Sequence, residues 1–355
     1  MKSRQTKPAA NGKLVMGAAL AVLLLLPAAR AAEKAADPPS AGSAADEPMA
    51  EKFSLAKAAE SLDRTSLIWT RQHKCGCCHV NYPFLMTRGA LKDVPSPALA
   101  EVRKFFEDRV ARWDADAKDA QPKLIEVVAT AAALAVNDAQ TTGRLHPLTR
   151  KALDRMWAVQ GKDGAWDWKK CNWPPFESDD YYGAVLAAVG AGFVPDDYAR
   201  SDAAKDGLAR LRAYLKATPP PNLHHTAWLL WASAKQDGLM TPDERQTAIR
   251  QLLAAQRADG GWSLGALGSG WINHKGDKLD ADAPSDGYGT GLVLHALRQA
   301  GVAASHEAVQ RGKNWLRTHQ RASGRWFTAS PNGMKAYSVA EAGNAFAVLA
   351  LSAGE

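Results

Sequence analysis

Extended strands, long apolar runs and basic clusters are all scarce in this sequence of 355 residues. No segment alternates apolar and polar residues between hairpin turns, so we expect no strands beyond a short ribbon. After the first thirty residues, no stretch approaches the roughly 20 apolar residues that a membrane-spanning helix needs. Basic runs with interleaved aromatic residues are also missing, although they are the usual signature of nucleic-acid binding. The sequence therefore favours a helical globular protein without a nucleic-acid partner or an integral membrane span.

The N-terminus has the pattern of a secretory signal peptide. An apolar run at residues 14–26 follows a basic segment, and Ala29-Arg30-Ala31 resembles a cleavage site. We predict that residues 1–31 are removed and that the mature chain is secreted or periplasmic. The segment carries five basic residues and no acid, so its removal lowers the formal charge from +7 to +2. The basic residues are Lys2, Arg4, Lys7, Lys13 and Arg30.

The rest of the chain divides into a short linker and one large domain. Residues 32–50 (AEKAADPPSAGSAADEPMA) are rich in Ala, Pro, Ser and acids and have no apolar periodicity, which predicts a flexible linker. Residues 51–355 have the composition and length of one globular domain with a substantial core.

Cysteine is rare, and its placement is unusual. Of four cysteines, three lie in the stretch KCGCCH at residues 74–79, and the fourth is Cys171. Cys75, Cys78 and His79 have the C-x-x-C-H spacing of c-type haem attachment, with two thiols for thioether bonds and an axial imidazole. Met86, His224, His225 and His274 are candidates for a sixth iron ligand. A zinc site using some of Cys75, Cys77, Cys78, His79 and Cys171 is an alternative, because thiolate and imidazole bind zinc at such spacings. A local disulfide or a Cys78–Cys171 bridge is a third interpretation.

An internal repeat organises the chain. The pattern Gln, three residues, Gly, one residue, Trp occurs at residues 160–166, 256–262 and 320–326. Apolar spacing predicts twelve helices, separated by Gly, Pro and Asp clusters. They are expected near residues 53–71, 82–91, 97–113, 122–137, 147–160, 179–192, 201–217, 223–236, 242–257, 286–301, 306–320 and 337–352.

These three corners resemble the QW repeats of squalene-hopene cyclases and related prenyltransferase-repeat proteins. The resemblance implies an all-α, single (α/α)6 toroid of six helical hairpins, of the terpenoid cyclase and protein prenyltransferase type. In that fold the outer helices end in QW corners and the inner helices line a cavity. The cysteine cluster then occupies the first corner, because Gln72 and Gly76 keep their places and Cys78 replaces the Trp.

The resemblance also implies that the loops from outer to inner helices open at one mouth, where their polar residues converge. Glu177-Ser178-Asp179-Asp180 resembles the D-x-D-D motif of class II terpene cyclases, which implies that Asp179 is the acid that protonates an isoprenoid alkene, with Asp180 and Glu177 beside it. Helix capping explains the same acids, because Asp is a good N-cap and suits the positive end of a helix dipole. The other candidates at this mouth are His224, His225, Asp280, Asp282 and Asp286.

Three functions follow from these patterns. The first is an exported toroid that carries a covalent c-type haem at the mouth, for redox or small apolar-ligand chemistry with an electron-transfer partner. The second is an isoprenoid cyclase that uses Asp179, in which the cysteines are structural or bind zinc. The third is a non-enzymatic binding scaffold for an apolar or isoprenoid-like small molecule.

Overall fold

A computed structural model describes residues 44–115, 122–335 and 337–352. Within these ranges the regular structure is helical, and only three isolated β-bridges occur outside the helices. The helices in chain order are α1 (Leu55–His73), α2 (Asn81–Arg88), α3 (Pro97–Arg112), α4 (Leu124–Thr141), α5 (Pro147–Ala158), α6 (Asp180–Ala191), α7 (Asp196–Ala199), α8 (Asp202–Ala217), α9 (Leu223–Ser233), α10 (Pro242–Ala254), α11 (Leu264–Leu267), α12 (Gly287–Gln299), α13 (Glu307–Thr318) and α14 (Val339–Ser352).

Six of these helices form a closed inner ring. Helices α2, α4, α6, α9, α12 and α14 each pack against the next, and α14 packs against α2. Helices α1, α3, α5, α8, α10 and α13 lie outside this ring, each joined to the inner helix that follows it in its hairpin. The chain is therefore an all-α (α/α)6 toroid, and the predicted fold is confirmed. All twelve predicted helices are present, while α7 and α11 are too short to have an apolar period.

The sequence explains why the two rings differ. Inner helices such as α6 and α14 are apolar on every face and are buried along nearly their whole length. Outer helices such as α13 bury only a stripe. Small residues let the inner helices approach closely: a Cβ on Gly190 would lie 2.5 Å from Cα of Ala132, where α6 crosses α4. Gly291 on α12 packs in the same way against the backbone of α14.

The three QW corners have the same hydrogen bonds. In each corner the Gln Nε2 donates to the Gly carbonyl four residues later and to a backbone carbonyl near the next outer helix or within it. The Trp Nε1 donates to a backbone carbonyl ten residues earlier, which belongs to the outer helix that precedes the corner. The corner therefore ties one hairpin to the next. Gln72, at the equivalent place in the first corner, is exposed, so the cysteine corner keeps the position but not the Gln contacts.

The residues before α1 join the toroid earlier than the sequence predicts. Ala50 N donates to the carbonyl of Gln320 at 2.8 Å, and Ala322 N donates to the carbonyl of Pro48 at 2.8 Å. Residues 47–50, assigned above to the linker, therefore pair with the last QW turn. The predicted signal peptide and residues 32–43 lie outside the described residues. No helix in the described ranges is long and apolar enough to cross a membrane.

Candidate functional site

The axis of the inner ring is filled by aromatic side chains. Trp228, Trp231 and Phe346 pack against one another and are buried. Above them lies a cavity of only about 10 Å³, room for one water molecule at most. Its lining residues are Cys78, Tyr82, Pro83, Met86, Ala129, Phe176, Tyr182, Leu186, Trp228 and Phe346. This cavity is therefore too small for a substrate while these side chains stay in place.

Residues 169–177, here called the plug loop, close this cavity with Phe176. The Phe176 carbonyl accepts from Trp168 Nε1 at 2.7 Å, and Glu177 forms a backbone pair with Trp173 at 3.0 and 3.2 Å. Asn332 Nδ2 donates to the carbonyl of Pro174 at 3.0 Å, which ties the loop to the opposite side of the mouth. The plug loop is thus a hydrogen-bonded cover, and no pattern in its sequence predicted that role for Phe176.

The cysteine corner follows α1 and is shaped by hydrogen bonds from the side chains of Trp69 and Asn81 to its backbone. The Cys75 carbonyl accepts from Trp69 Nε1 at 2.9 Å and from Asn81 Nδ2 at 3.1 Å. Asn81 Oδ1 in turn accepts from Cys77 N at 2.8 Å. All four cysteines are free thiols, and each is partly exposed. Asn81 is therefore the residue that fixes the corner.

The environment keeps these thiols protonated at neutral pH. Burial raises the pKa of the Cys77 thiol to about 12, and burial together with the nearby Glu177 carboxylate raises the pKa of Cys78 well above its usual value. Burial is also the main cause of the raised pKa of Cys75. The pKa of Cys171 is raised by burial and by its hydrogen bond to Glu177. None of the four is an activated thiolate.

His79 lies beside this corner as a neutral imidazole. Burial lowers its pKa to about 4, against the opposing effect of Glu177. Its ring meets the Phe176 ring edge-on, with centroids 5.1 Å apart. No described residue forms a hydrogen bond with its ring nitrogens. His79 is therefore an unprotonated nitrogen donor next to two free thiols.

The three acids of the E-x-D-D stretch each face a base. Glu177 Oε2 lies 3.1 Å from Lys169 Nζ, and Asp180 Oδ1 lies 2.7 Å from Lys170 Nζ. Asp179 caps α6 by accepting from Tyr182 N at 3.0 Å. Burial raises the pKa of Asp179, but His225 and the Tyr182 N–H outweigh it, and the net shift is downward. The stretch thus combines helix capping with charge pairing.

His225 is fully buried, and Asn222 fixes the position of one of its protons. Asn222 Oδ1 accepts from the backbone N of His225 at 3.1 Å, so this atom is an acceptor and His225 Nδ1, 2.8 Å away, must donate to it. The other nitrogen, Nε2, lies 3.0 Å from Oδ1 of Asp179. This distance is that of an ion pair, but its geometry is not that of a hydrogen bond. His224 instead contacts the Tyr288 hydroxyl through Nε2 at 2.8 Å.

Some of the polar residues that were predicted to meet at the mouth lie together in the structure, and others do not. The cysteine corner, the plug loop, Asp179 and the two histidines lie together, and His274 stacks on Trp173 of the plug loop with centroids 4.8 Å apart. Asp280 and Asp282 are exposed, and Oδ1 of Asp280 only accepts from N of Asp282. They belong to the long connection before α12, which the repeat alone could not orient.

Asp286 is buried as the N-cap of α12 and, together with Asp280, lines a cavity of about 200 Å³. Its carboxylate accepts from Gly289 N at 2.9 Å, from Leu264 N at 2.6 Å and from the Thr328 hydroxyl at 3.2 Å. Burial raises its pKa to about 6. Across the described ranges, no group of three His, Cys, Asp or Glu side chains is arranged to hold a metal ion. The proposed zinc ligands are therefore not assembled into a zinc site.

A second, larger cavity lies away from this mouth, beside the outer helices α8 and α10. It measures about 1010 Å³ and runs along α9 between α8 and α10. Apolar side chains such as Leu215, Leu229 and Leu239 form its walls, and Lys216 and Asp243 are among its polar residues. Sequence reasoning missed it because it results from the spacing of helices that are distant along the chain.

Comparisons with known proteins add no function. No model of a known family matches the chain, and no curated protein matches it. A protein from Actinoplanes is 14% identical with a TM-score of 0.48, over 83% of this chain and 100% of that one. A polysaccharide lyase is 14% identical with a TM-score of 0.32, over 85% and 90%. A family 88 glycosyl hydrolase from Bacteroides vulgatus is 12% identical with a TM-score of 0.31, over 85% and 91%. These likenesses are too distant to support any statement about activity.

Proposed function

We propose that this protein is an exported toroid, similar to squalene cyclases in its repeats, that carries a covalent c-type haem at the cysteine corner. The observation that carries the proposal is the donor set: free thiols of Cys75 and Cys78 in C-x-x-C-H spacing, next to the neutral imidazole of His79. The thiols would hold the macrocycle by thioether bonds, and His79 would be an axial ligand. A haem bound there would supply one-electron redox chemistry or bind a small ligand.

The donor atoms fit a haem, but the space around them limits how it could bind. The cavity beside Cys78 has room for one water molecule at most, and Phe176 covers His79. The two thiols also have different neighbours: Cys75 is near Arg109, whereas Cys78 is near Glu177. Haem attachment therefore requires the plug loop to move and the two thiols to turn toward one face. An electron-transfer partner would have to approach the corner from the same side.

A maturation experiment tests this proposal. The full chain is expressed with and without cytochrome c maturation enzymes, and the spectrum of the denatured, purified protein is recorded in pyridine and alkali. We expect a covalent haem band only with those enzymes, and its loss in Cys75→Ser and Cys78→Ser. Cys77→Ser is the matched control and should keep the band. No band in the wild type would refute the haem, and mass spectrometry of the purified chain would show whether residues 1–31 are removed.

The close contact between Asp179 Oδ1 and His225 Nε2, at 3.0 Å, favours a second candidate, an acid-catalysed isoprenoid cyclase. In this proposal Asp179, once protonated, donates its proton to an alkene, and His225 stabilises the carboxylate that remains. Asp179→Asn keeps the N-cap, because Asn caps helices as well as Asp does, but it removes the acid. We expect the wild type to form cyclised products from squalene or a shorter isoprenoid and the variant to form none. Gas chromatography with mass spectrometry measures the products, and Thr241→Ala, which loses a cap on α10, is the control.

Failure of both tests would leave the binding-scaffold hypothesis. In that case the cavity along α9 is where a small apolar molecule would bind. Its volume of about 1010 Å³ is close to the about 300–1,000 Å³ that is typical of small-molecule sites.

A further inference from the structure

The plug loop brings the fourth cysteine to the cysteine corner. Cys171 Sγ lies 3.3 Å from Oε2 of Glu177, and Cys171 N donates to the Glu177 carbonyl at 3.2 Å. Phe176, the neighbour of Glu177, lines the same small cavity as Cys78 and packs on the ring of His79. A short loop therefore brings Cys171 to the same side of the corner as Cys78, although 92 residues separate them in the sequence.

The charges around the thiols show which pair shares a site. Lys169 Nζ lies 3.1 Å from Glu177 Oε2, and the charges of this ion pair act on the pKa of both the Cys78 and the Cys171 thiol. Cys75 lies on the other side of the corner, next to Arg109 and Glu126. The C-x-x-C pair is thus split between two environments, whereas Cys78 and Cys171, like Cys77, are near Glu177. Of the two cysteines in the corner that are near Glu177, Cys78 is the one that lines the cavity covered by Phe176.

We propose that Cys78 and Cys171 form a disulfide that fastens the plug loop over the axial cavity. In this bond Cys78 is no longer available for a thioether, so the disulfide and a haem attached at Cys78 exclude each other in the same molecule. The inference concerns a thiol that the proposed function also uses, but it does not require that function. Its physiological setting is an oxidising compartment, which the predicted export would supply.

The chemistry needs an external disulfide as oxidant. Glu177 accepts the hydrogen of the Cys171 thiol at 3.3 Å, so it is placed to take that proton as the sulfur attacks a disulfide such as oxidised glutathione. The attack forms a mixed disulfide and releases one thiolate. The Cys78 sulfur then attacks Cys171, loses its proton to solvent and displaces the second thiolate. In total two thiols are oxidised, one external disulfide is reduced to two thiols, and one S–S bond forms in the protein.

Peptide mapping of the full chain, produced without haem maturation enzymes, tests the pairing. The folded protein is treated with oxidised glutathione, free thiols are alkylated, and non-reduced peptides are analysed by mass spectrometry. We expect a cross-linked peptide that joins Cys78 to Cys171, two hydrogens lighter than the sum of its reduced parts. Cys75→Ser should retain this peptide, and Cys171→Ser should lose it. Cross-links confined to residues 75–78, or four alkylated thiols after oxidation, would overturn the proposal.

Limited proteolysis supplies a second readout that does not depend on mapping. Lys169 and Lys170 are exposed trypsin sites in the plug loop. Oxidation should slow cleavage there at least about tenfold in the wild type, and reduction should restore it. In Cys171→Ser, oxidation should leave the rate of tryptic cleavage unchanged. If oxidation slows cleavage equally in that variant, the proposed Cys78–Cys171 disulfide is refuted. Because neither measurement involves haem, a missing haem band would contradict the proposed function and leave the disulfide to be judged on its own.

Discussion

The QW glutamine at the seam of the ring gives the sharpest test of how the toroid is held together. Gln320 is 1% exposed and joins the last hairpin to the first, because its Nε2 donates to the carbonyls of Ser54 and Gly324, both at 3.0 Å. Its Oε1 accepts from Ser54 N at 2.7 Å. Gln320→Ala removes all three hydrogen bonds and leaves buried partners unsatisfied. At about 1 kcal/mol for each net bond and more for each orphaned group, we expect a loss of about 3–5 kcal/mol in the free energy of unfolding.

Gln72→Ala is the matched control, since Gln72 has the same place in the first corner but is exposed. The free energy of unfolding of Gln72→Ala should differ from that of the wild type by no more than about 0.5 kcal/mol. Guanidinium unfolding followed by tryptophan fluorescence measures both variants, and the slope m shows whether the transition keeps its cooperativity. The Tm of Gln320→Ala should fall by roughly 6 °C or more. A loss for Gln320→Ala no larger than that of Gln72→Ala would show that these hydrogen bonds do not close the ring.

Three further predictions concern buried groups and one close backbone approach. Because the pKa of Asp286 is raised to about 6 in the folded chain, folded Asp286 holds its proton more tightly than the unfolded chain does, and this part of the stability is lost as the pH rises from about 4 to 6. The difference in free energy of unfolding between wild type and Asp286→Asn should therefore shrink over that window by up to about 3 kcal/mol, and a constant difference would contradict the assignment. His295 is buried with neither ring nitrogen hydrogen-bonded, so His295→Leu should raise the free energy of unfolding at pH 7 by about 1 kcal/mol in urea titrations, and a decrease would contradict this. Gly324 has φ +87 and lies against the backbone of Lys57, whereas Gly301 has φ +91 and open space around it. Thermal unfolding should show a larger loss for Gly324→Ala than for Gly301→Ala, and equal losses would mean that only the dihedral angle matters.

The architecture was readable from the sequence because it is repeated. Each QW corner uses a Gln and a Trp at fixed spacing, and their partners are backbone carbonyls, which exist whatever the neighbouring side chains are. Apolar periodicity separated fully buried inner helices from striped outer ones. The position of the cysteine cluster at the first corner followed from the same repeat. Residues 47–50, which the composition assigns to the linker, pair with the last QW turn through backbone atoms that no composition argument detects.

The site was only partly readable. Asp179 was recognised as both a cap and a candidate acid, but its pairing with His225 depends on Asn222, which fixes the imidazole proton from the next hairpin. Phe176 was not singled out, because a Phe after two prolines has no chemical signature. Asp280 and Asp282 were grouped with the mouth by their loop, and the structure leaves them exposed. The spacing of residues along the chain does not show which side chains from different hairpins come together.

The sequence by itself determined the ring: how many hairpins it has, which helices face inward, and where the glutamine and tryptophan corners lie. These features depend on local periodicity and on contacts with backbone atoms, so they repeat with the chain. Only the tertiary structure decided what the ring encloses. Because aromatic side chains from several inner helices meet on the axis and Phe176 covers them, the interior is filled, and the chemistry-bearing thiols, imidazoles and acids are left at its rim.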